Sequence, residues 1–125
     1  MSKQAIKTDA APAAIGPYSQ AVRTGSFIYT SGQIALDQEG RLAGPGIAEQ
    51  TTQCIINARS ILEAAGSGLD QVVKTTVYLD DMENFAAMNE VYAGFFTSPY
   101  PARSCIEASR LPRDVKVEIE MIACL

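Results

Sequence analysis

The sequence predicts an α+β fold, a mixed sheet with two helices packed on one of its faces. Two observations support this prediction. Strand-like and helix-like segments follow one another in the order strands, helix, strand, helix, two strands. Each helix can also carry the chain across the sheet from one strand to the next. No repeat or low-complexity segment divides the chain, so residues 1–125 are expected to form one domain.

The first elements are strands. Residues 19–24 and 27–33 are predicted as two strands that meet at Gly25 and Ser26, a pair typical of a hairpin turn. Residues 37–41, Asp-Gln-Glu-Gly-Arg, are predicted as a second turn.

A long helix is predicted over residues 47–65. Its buried face is expected to consist of residues that recur at steps of three and four, namely Ile47, Thr51, Cys54, Ala58, Ile61 and Ala65. Gly66 follows where a helix commonly ends. Residues 72–79 are rich in β-branched side chains and predict the next strand.

A second helix is predicted to begin at residues 80–83, Asp-Asp-Met-Glu, because they resemble a capping box. Its buried stripe is expected to be Phe85, Met88, Tyr92 and Phe95. Pro99 and Pro101 are expected to prevent its continuation.

The last two strands are predicted over residues 104–109 and 115–124. An antiparallel hairpin that pairs them about residue 111 would bring residues 118–120 near Arg103. The last strand alternates apolar and charged residues, and other strands carry apolar residues on both faces. Two helices cover one face only, so part of the sheet is expected to pack against another subunit.

Composition excludes several classes of protein. The net charge is −4, which argues against a nucleic-acid partner. The chain has no histidine, and its three cysteines, Cys54, Cys105 and Cys124, lack the spacing of a zinc site or a disulfide framework. They indicate reduced thiols in a cytoplasmic protein. Neither a signal-peptide core nor a membrane-spanning run is present in the sequence, so no membrane partner is expected.

Arg103 and Cys105 lie two residues apart on a predicted strand and therefore point to the same face. A guanidinium can bind a carboxylate through two parallel hydrogen bonds. The alternative is a solvated surface arginine. A cysteine beside a guanidinium can have a lowered pKa, and the alternative is a small buried thiol.

Glu118 and Glu120 lie on the polar face of the last strand, and a carboxylate there can orient a water or accept a proton. The alternative is a solvated face shared with Lys116. Without histidine, acid–base chemistry would have to use such groups.

Four further residues are candidates for a binding site. Tyr18 follows a Gly-Pro turn and can lie over a pocket, or cover a core edge. Ser31 and Gly32 end a strand, where a glycine allows a ligand to approach the backbone, or forms a bulge. Asn89 interrupts the apolar stripe of the second helix, where it faces solvent or hydrogen-bonds a ligand or another subunit.

These motifs resemble those of the Rid family of reactive intermediate deaminases, also called YjgF, and most closely its RidA branch. The resemblance runs from about Ala11 to the C-terminus. The segments that carry it are Ile-Gly-Pro-Tyr-Ser-Gln-Ala at 15–21, Thr-Ser-Gly-Gln at 30–33, Pro-Ala-Arg-Ser-Cys at 101–105 and Val-Glu-Ile-Glu at 117–120.

The resemblance implies a chorismate-mutase-like domain that assembles as a homotrimer through a central barrel of sheets, with active sites between subunits. It implies hydrolysis of reactive 2-imino acids and their enamine tautomers, such as 2-aminoacrylate, 2-iminopropanoate and 2-iminobutanoate, to 2-oxo acids and ammonia. No metal or organic cofactor is implied. The substrates would be released by pyridoxal-phosphate-dependent serine and threonine dehydratases, and their removal would protect against metabolite damage.

Roles for individual residues follow from the resemblance. Arg103 would bind the substrate carboxylate, and Glu118 would position and activate the attacking water. The pocket lining would be Tyr18, Ser31, Gly32, Asn89 and Cys105, in part from a neighbouring subunit. The segment between Phe96 and Arg103 is short for the RidA branch, so Tyr100 is expected to shape the pocket mouth differently.

Two other functions are considered. A trimeric regulatory protein could bind small carboxylates without turnover, and Arg103 would serve it equally well. Glu118 discriminates, because carboxylate binding gains nothing from a second negative charge nearby. RNA cleavage ranks last, because the chain has no histidine and a net charge of −4.

Overall fold

The computed structural model describes residues 2–125, and within them a seven-stranded sheet and two α-helices. The elements are β1 Gln4–Ile6, β2 Ala21–Thr24, β3 Phe27–Thr30, β4 Gln33–Ile34, α1 Ile47–Ala64, β5 Val72–Leu79, α2 Phe85–Ala93, β6 Ala102–Glu107 and β7 Val117–Cys124. This order confirms the predicted α+β fold.

The sheet is mixed. Its strands lie in the order β1-β2-β3-β7-β5-β6, and β4 pairs with β7 beyond the end of β3. The β5–β6 pair is parallel, and every other pair of named strands is antiparallel. The parallel pair is possible because α2 crosses over between β5 and β6.

The predicted hairpin between the last two strands is wrong. β5 lies between β6 and β7 and pairs with both. The connection from β6 contains a 3₁₀ turn at Pro112–Asp114, in which Arg113 and Asp114 adopt positive φ angles of 57° and 56°. Residues 108–116 thus form a long connection that skips one strand, and the register about residue 111 does not occur.

Helix α1 forms as predicted, except that it ends at Ala64 and Ala65 is its C-cap. Gly66 follows with a φ of +87°, the left-handed conformation that terminates helices without strain in glycine. On the predicted face, Thr51, Cys54, Ala58 and Ile61 are buried, and Ile47 and Ala65 pack partly against the core.

Helix α2 begins later than predicted. A 3₁₀ turn at Met82–Asn84 precedes it, and Asp81 caps this turn by accepting a hydrogen bond from the Glu83 amide at 2.9 Å. Met88 and Tyr92 are buried as expected, but Phe95 is only partly buried, as is Phe85. Because the helix ends at Ala93, its period no longer applies, and Phe96 is the residue that turns into the core.

The two helices cover one face of the sheet. The strand residues beneath them are fully buried, and they include Ile28, Val77, Leu79, Val117, Ile119 and Met121. Neither helix is long and apolar enough to cross a membrane, among the residues described.

The other face of the sheet is open over residues 2–125. Phe27, Tyr29 and Ile106 are exposed there by 43%, 41% and 48%, and Glu118 and Glu120 lie on the same face between partly buried apolar residues. A face this apolar confirms the sequence prediction of uncovered sheet surface. That a second subunit covers it stays a prediction.

Candidate functional site

Two separate clusters contain the residues that the sequence singled out. The first comprises Tyr18, Ser31, Gly32 and Glu118. The second comprises Asn89, Arg103 and Cys105. Within residues 2–125, no group of three or more acidic or cysteine side chains is placed to hold a metal ion.

The first cluster is built on an interruption between β3 and β4. At the end of β3, the Thr30 hydroxyl accepts a hydrogen bond from the Met121 amide of β7 at 3.0 Å, in place of a strand-to-strand bond. The chain then leaves β7 until Gln33 and pairs again with Ile119. Residues 31–32 therefore stand away from the sheet, as expected for a bulge.

Ser31 joins this bulge to the segment that carries Tyr18. Its hydroxyl donates to the Ser19 carbonyl at 2.6 Å, and its amide donates to the Gln20 carbonyl at 2.9 Å. Tyr18 is held by its own turn, in which Gly16 has a φ of 128° and accepts from the Tyr18 amide at 2.9 Å. The Ser31 hydroxyl thus has a structural partner within its own chain.

Tyr18 and Gly32 line a cavity of about 320 Å³, together with apolar residues such as Pro12, Ile34 and Pro112. Tyr18 is 52% exposed, so its ring covers the cavity and not the core. Arg113 also lines this cavity and donates to the Gly40 carbonyl at 3.3 Å. Pro112 and Arg113 were not predicted as site residues, because only the tertiary fold brings their turn beside Gly32.

Glu118 contacts the backbone of Gly32. A Cβ atom added at Gly32 would lie 1.9 Å from Oε2 of Glu118, so no other residue type fits without displacing the carboxylate. Burial raises the pKa of Glu118 above its usual value of 4.5, and the nearby charge of Glu120 raises it further. Such a carboxylate is a better proton acceptor than a solvated one.

Replacing Gly32 by alanine tests the importance of this contact. Gly32→Ala is expected to displace the Glu118 carboxylate, and a shift of about 1 Å at a reacting group can reduce turnover by about 100-fold. The far end of a glutamate side chain can move at little cost, so the melting temperature should change little. Steady-state kinetics and thermal unfolding measure the two effects.

Gly40→Ala is the matched control. Its added Cβ meets no atom within 4 Å, although its φ of +81° strains a side chain. It should therefore lose stability and retain activity, the opposite of Gly32→Ala. Full activity in Gly32→Ala would show that the position of Glu118 does not matter.

The raised pKa of Glu118 predicts a pH-dependent stability difference. A carboxyl group whose pKa is higher in the folded state than in the unfolded state stabilises the fold below the unfolded value and loses that contribution as pH rises through the folded value. Glu118→Gln is therefore expected to melt at a higher temperature than the wild type at neutral pH. The difference should vanish below about pH 4.5. Thermal unfolding between pH 4 and 8 measures it, with Glu90→Gln on the exposed surface of α2 as the control.

The second cluster lies at the β6 edge of the sheet, on the helix-covered face. Arg103 pairs with the buried Thr75 of β5, so its side chain points toward α2. One guanidinium nitrogen, Nη1, donates to Oδ1 of Asn89 at 2.6 Å. The guanidinium also lies 4.8 Å from the ring centroid of Tyr92 and 5.5 Å from that of Phe85.

Asn89 and Arg103 line a cavity of about 380 Å³ with Tyr92, Tyr100 and Pro101. Tyr100 is 64% exposed at this cavity. That it shapes the pocket mouth differently from the RidA branch stays a prediction. Phe85 and Tyr92 were assigned to the core stripe from helical spacing alone. That spacing also puts them beside Asn89, which was the signal for their second role.

Cys105 lies on the same face as Arg103, as predicted, and is partly buried. Burial raises the pKa of its thiol, and the opposing effect of Arg103 is smaller. The expectation of a lowered pKa is therefore wrong, and the alternative of a small buried thiol holds in part, because Cys105 is only partly buried. Such a thiol is a poor nucleophile.

Arg103 and Glu118 do not meet within one chain. The Thr75–Arg103 pair points to the helix-covered face, and the Tyr78–Glu118 pair points to the open face. Side chains on opposite faces of one sheet cannot act on the same small molecule. One chain therefore presents two separate clusters, a cationic one under α2 and an acidic one at Gly32, which we call candidate half-sites.

Comparison with known proteins identifies the class to which this fold and these half-sites belong. Residues 8–125 match the family model described as Endoribonuclease L-PSP. A RutC family protein of Pyrococcus abyssi is 52% identical over 124 residues, which are 98% of each sequence. The chain therefore belongs to the Rid family.

Two further relatives agree with this membership. The 2-iminobutanoate/2-iminopropanoate deaminase of Salmonella typhimurium is 48% identical over 126 residues, which are 98% of each sequence. The crystal structure of RidA from the Antarctic bacterium Psychrobacter superposes with a TM-score of 0.94 at 45% identity and covers 98% of this chain and 99% of that one. The resemblance to the RidA branch is thus confirmed.

Proposed function

We propose that this chain is a cofactor-free deaminase that hydrolyses small 2-imino acids and their enamine tautomers to 2-oxo acids and ammonia, as 2-iminobutanoate/2-iminopropanoate deaminase. Its substrates would include 2-aminoacrylate, 2-iminopropanoate and 2-iminobutanoate. The single observation that supports it best is the pair of half-sites, a guanidinium oriented by Asn89 and a partly buried carboxylate of raised pKa. The similarity to the Salmonella deaminase supports the choice of substrate class.

A complete site requires two subunits in this proposal. Arg103 at the β6 edge of one subunit would face Glu118 on the open sheet face of its neighbour. Exposed aromatic residues on that face, Phe27 and Tyr29, favour burial against another copy. A homotrimer closes this interface with one site per subunit pair. Tyr18, Ser31 and Gly32 would then lie with Glu118 on one side of the substrate, and Asn89 and Cys105 with Arg103 on the other.

The chemistry follows from the charges. Arg103 has further N–H donors beyond the one that bonds Asn89, and two of them can bind the substrate carboxylate. This fixes the imine carbon near Glu118, which accepts a proton from the attacking water. Glu118 gives this proton to the imine nitrogen as the hydroxide adds to the carbon, which forms a carbinolamine. It then carries the proton of the new hydroxyl to the same nitrogen, the C–N bond breaks as the C=O bond forms, and ammonia and the 2-oxo acid leave. The imine carbon is already electrophilic, so neither a metal nor an activated thiol is needed.

The test couples a purified serine or threonine dehydratase to this protein and follows the formation of 2-oxo acid. The protein is expected to accelerate release of pyruvate or 2-oxobutanoate over the rate of spontaneous imine hydrolysis. A folded protein that gives no acceleration contradicts the enzymatic proposal. Binding of 2-oxobutanoate without turnover would then favour the regulatory carboxylate-binding protein. The expected cellular role of the protein is to limit damage by reactive imines in the cytoplasm.

A further inference from the structure

The Arg103 guanidinium packs against three side chains on one face of helix α2. Phe85, Asn89 and Tyr92 recur at steps of four and three, so they project side by side from that face. Asn89 supplies a hydrogen-bond acceptor at 2.6 Å, and Tyr92 and Phe85 supply aromatic rings with centroids 4.8 and 5.5 Å from the guanidinium carbon. These distances lie within the range of cation–π attraction.

Tyr92 is the better fixed of the two rings. Its hydroxyl shares a buried hydrogen bond of 2.8 Å with the Thr75 hydroxyl, and the side chain of Tyr92 is only 6% exposed. Its ring also packs against Phe96 with centroids 4.6 Å apart. Phe85 is only partly buried. The Tyr92 ring therefore cannot move without breaking contacts to the sheet.

The contacts connect Thr75, Tyr92 and Arg103 in a ring, each residue with the other two. Thr75 is the β5 residue that pairs with Arg103 on β6. The hydroxyl of Thr75 bonds Tyr92, and the Tyr92 ring attracts the guanidinium of Arg103. Thr75 therefore fixes both ends of the arginine side chain. It pairs with the backbone of Arg103, and it holds the ring that attracts the guanidinium. A long, flexible side chain held at both ends loses less conformational freedom when it binds a ligand.

We propose that Tyr92, anchored by Thr75, is a positioning residue that holds the Arg103 guanidinium in its carboxylate-binding orientation. The proposal rests on the proposed function of Arg103, which Tyr92 serves through its contact with the guanidinium. It assigns Tyr92 a role in ground-state binding, separate from the water chemistry of Glu118.

The test compares Tyr92→Leu with Phe96→Leu and Tyr92→Phe. Loss of the ring in Tyr92→Leu is expected to weaken binding of 2-oxobutanoate, measured by calorimetry, and to raise KM by about fivefold to tenfold, with kcat within about twofold. Phe96→Leu removes a ring that packs on Tyr92 and leaves the Thr75 hydrogen bond in place, so it should weaken binding by less than Tyr92→Leu does. Tyr92→Phe retains the ring but loses the hydrogen bond to Thr75, so its affinity should lie between those of the wild type and Tyr92→Leu.

A measurement on the wild type keeps the proposal testable if Tyr92→Leu does not fold. In NMR spectra, the Arg103 guanidinium should show ring-current shifts and slow rotation about its Nε–Cζ bond, unlike the exposed Arg110. Unshifted, freely rotating Arg103 signals overturn the proposal. So does a folded Tyr92→Leu that binds 2-oxobutanoate like the wild type, or a Phe96→Leu that weakens binding equally.

The outcomes also separate this proposal from the proposed function. If Arg103→Ala loses 2-oxobutanoate binding and Tyr92→Leu does not, only the positioning role fails. If Arg103→Ala binds as tightly as the wild type, or the wild type does not bind at all, the proposed function fails and the positioning role fails with it.

Discussion

Two inactive variants, Arg103→Ala and Glu118→Gln, are expected to recover about one quarter of wild-type activity when their subunits are mixed in equal amounts. Arg103 and Glu118 point to opposite faces of the sheet, so each proposed site takes one residue from each of two subunits. Half of the Arg103 positions and half of the Glu118 positions are intact in the mixture. Random assembly therefore leaves about a quarter of the sites with both residues.

The experiment requires subunit exchange, achieved by co-expression or by joint refolding of the two variants. Mixed oligomers are then assayed with the dehydratase-coupled reaction. The double variant carrying both changes in one chain, refolded with itself, is the control and should stay inactive. If refolded mixtures contain hybrid oligomers and still show no activity, Arg103 and Glu118 do not share an intersubunit site. Sedimentation of the wild type reports whether the assembly is a trimer.

The second large effect is that Arg103 and Glu118 are expected to act on different steps, Arg103 on binding and Glu118 on turnover. Arg103→Ala is expected to weaken 2-oxobutanoate binding by about 100-fold, because it removes two charge-assisted hydrogen bonds worth about 1.5 kcal/mol each. Glu118→Gln is expected to bind 2-oxobutanoate as well as or better than the wild type, since it removes a negative charge near the ligand. Its kcat should fall by about 100-fold to 10,000-fold, the range for loss of a general base.

Calorimetry with 2-oxobutanoate and the coupled assay measure the two effects on the same preparations. Arg59→Ala is a suitable control, because Arg59 is a cation on helix α1 that lines neither half-site cavity. The regulatory alternative predicts something different, namely that Glu118→Gln alters binding and that no variant alters a rate. Equal loss of binding in both variants would contradict separate roles.

Local patterns were sufficient to predict most of the fold. The period of helix α1, the β-branched strand β5 and the glycine after Ala65 depend on neighbours in sequence, and the structure has them where the pattern put them. The same is true of Arg103 and Cys105, whose common face follows from the two-residue period of a strand.

The strand order could not be read in the same way. A hairpin between the last two strands is the shortest-range pairing, but β5 carries buried residues that fit between β6 and β7. Which strand occupies the centre of a sheet depends on long-range packing, for which no local signal exists. The wrong register followed from this, and it placed Arg103 and Glu118 in one chain's site.

Residue types at the site were easier to predict than their contacts. A glycine in the Thr-Ser-Gly-Gln segment indicated close approach to the backbone, yet only the bulge after Thr30 shows that Glu118 makes that approach. Tyr92 was assigned to the core, and it is buried. Its contact with Arg103 depends on the parallel pairing of β5 and β6, which the sequence did not predict.

The placement of Arg103 and Glu118 on opposite faces has a consequence for how activity depends on protein concentration. If every working site joins two chains, a single dissociated chain has no activity, and dilution reduces activity by more than it reduces protein. Specific activity then becomes a function of total chain concentration near the dissociation constant of the assembly. A newly synthesised chain would be inactive until it assembled with another copy. The time at which activity appears would therefore measure assembly and not folding.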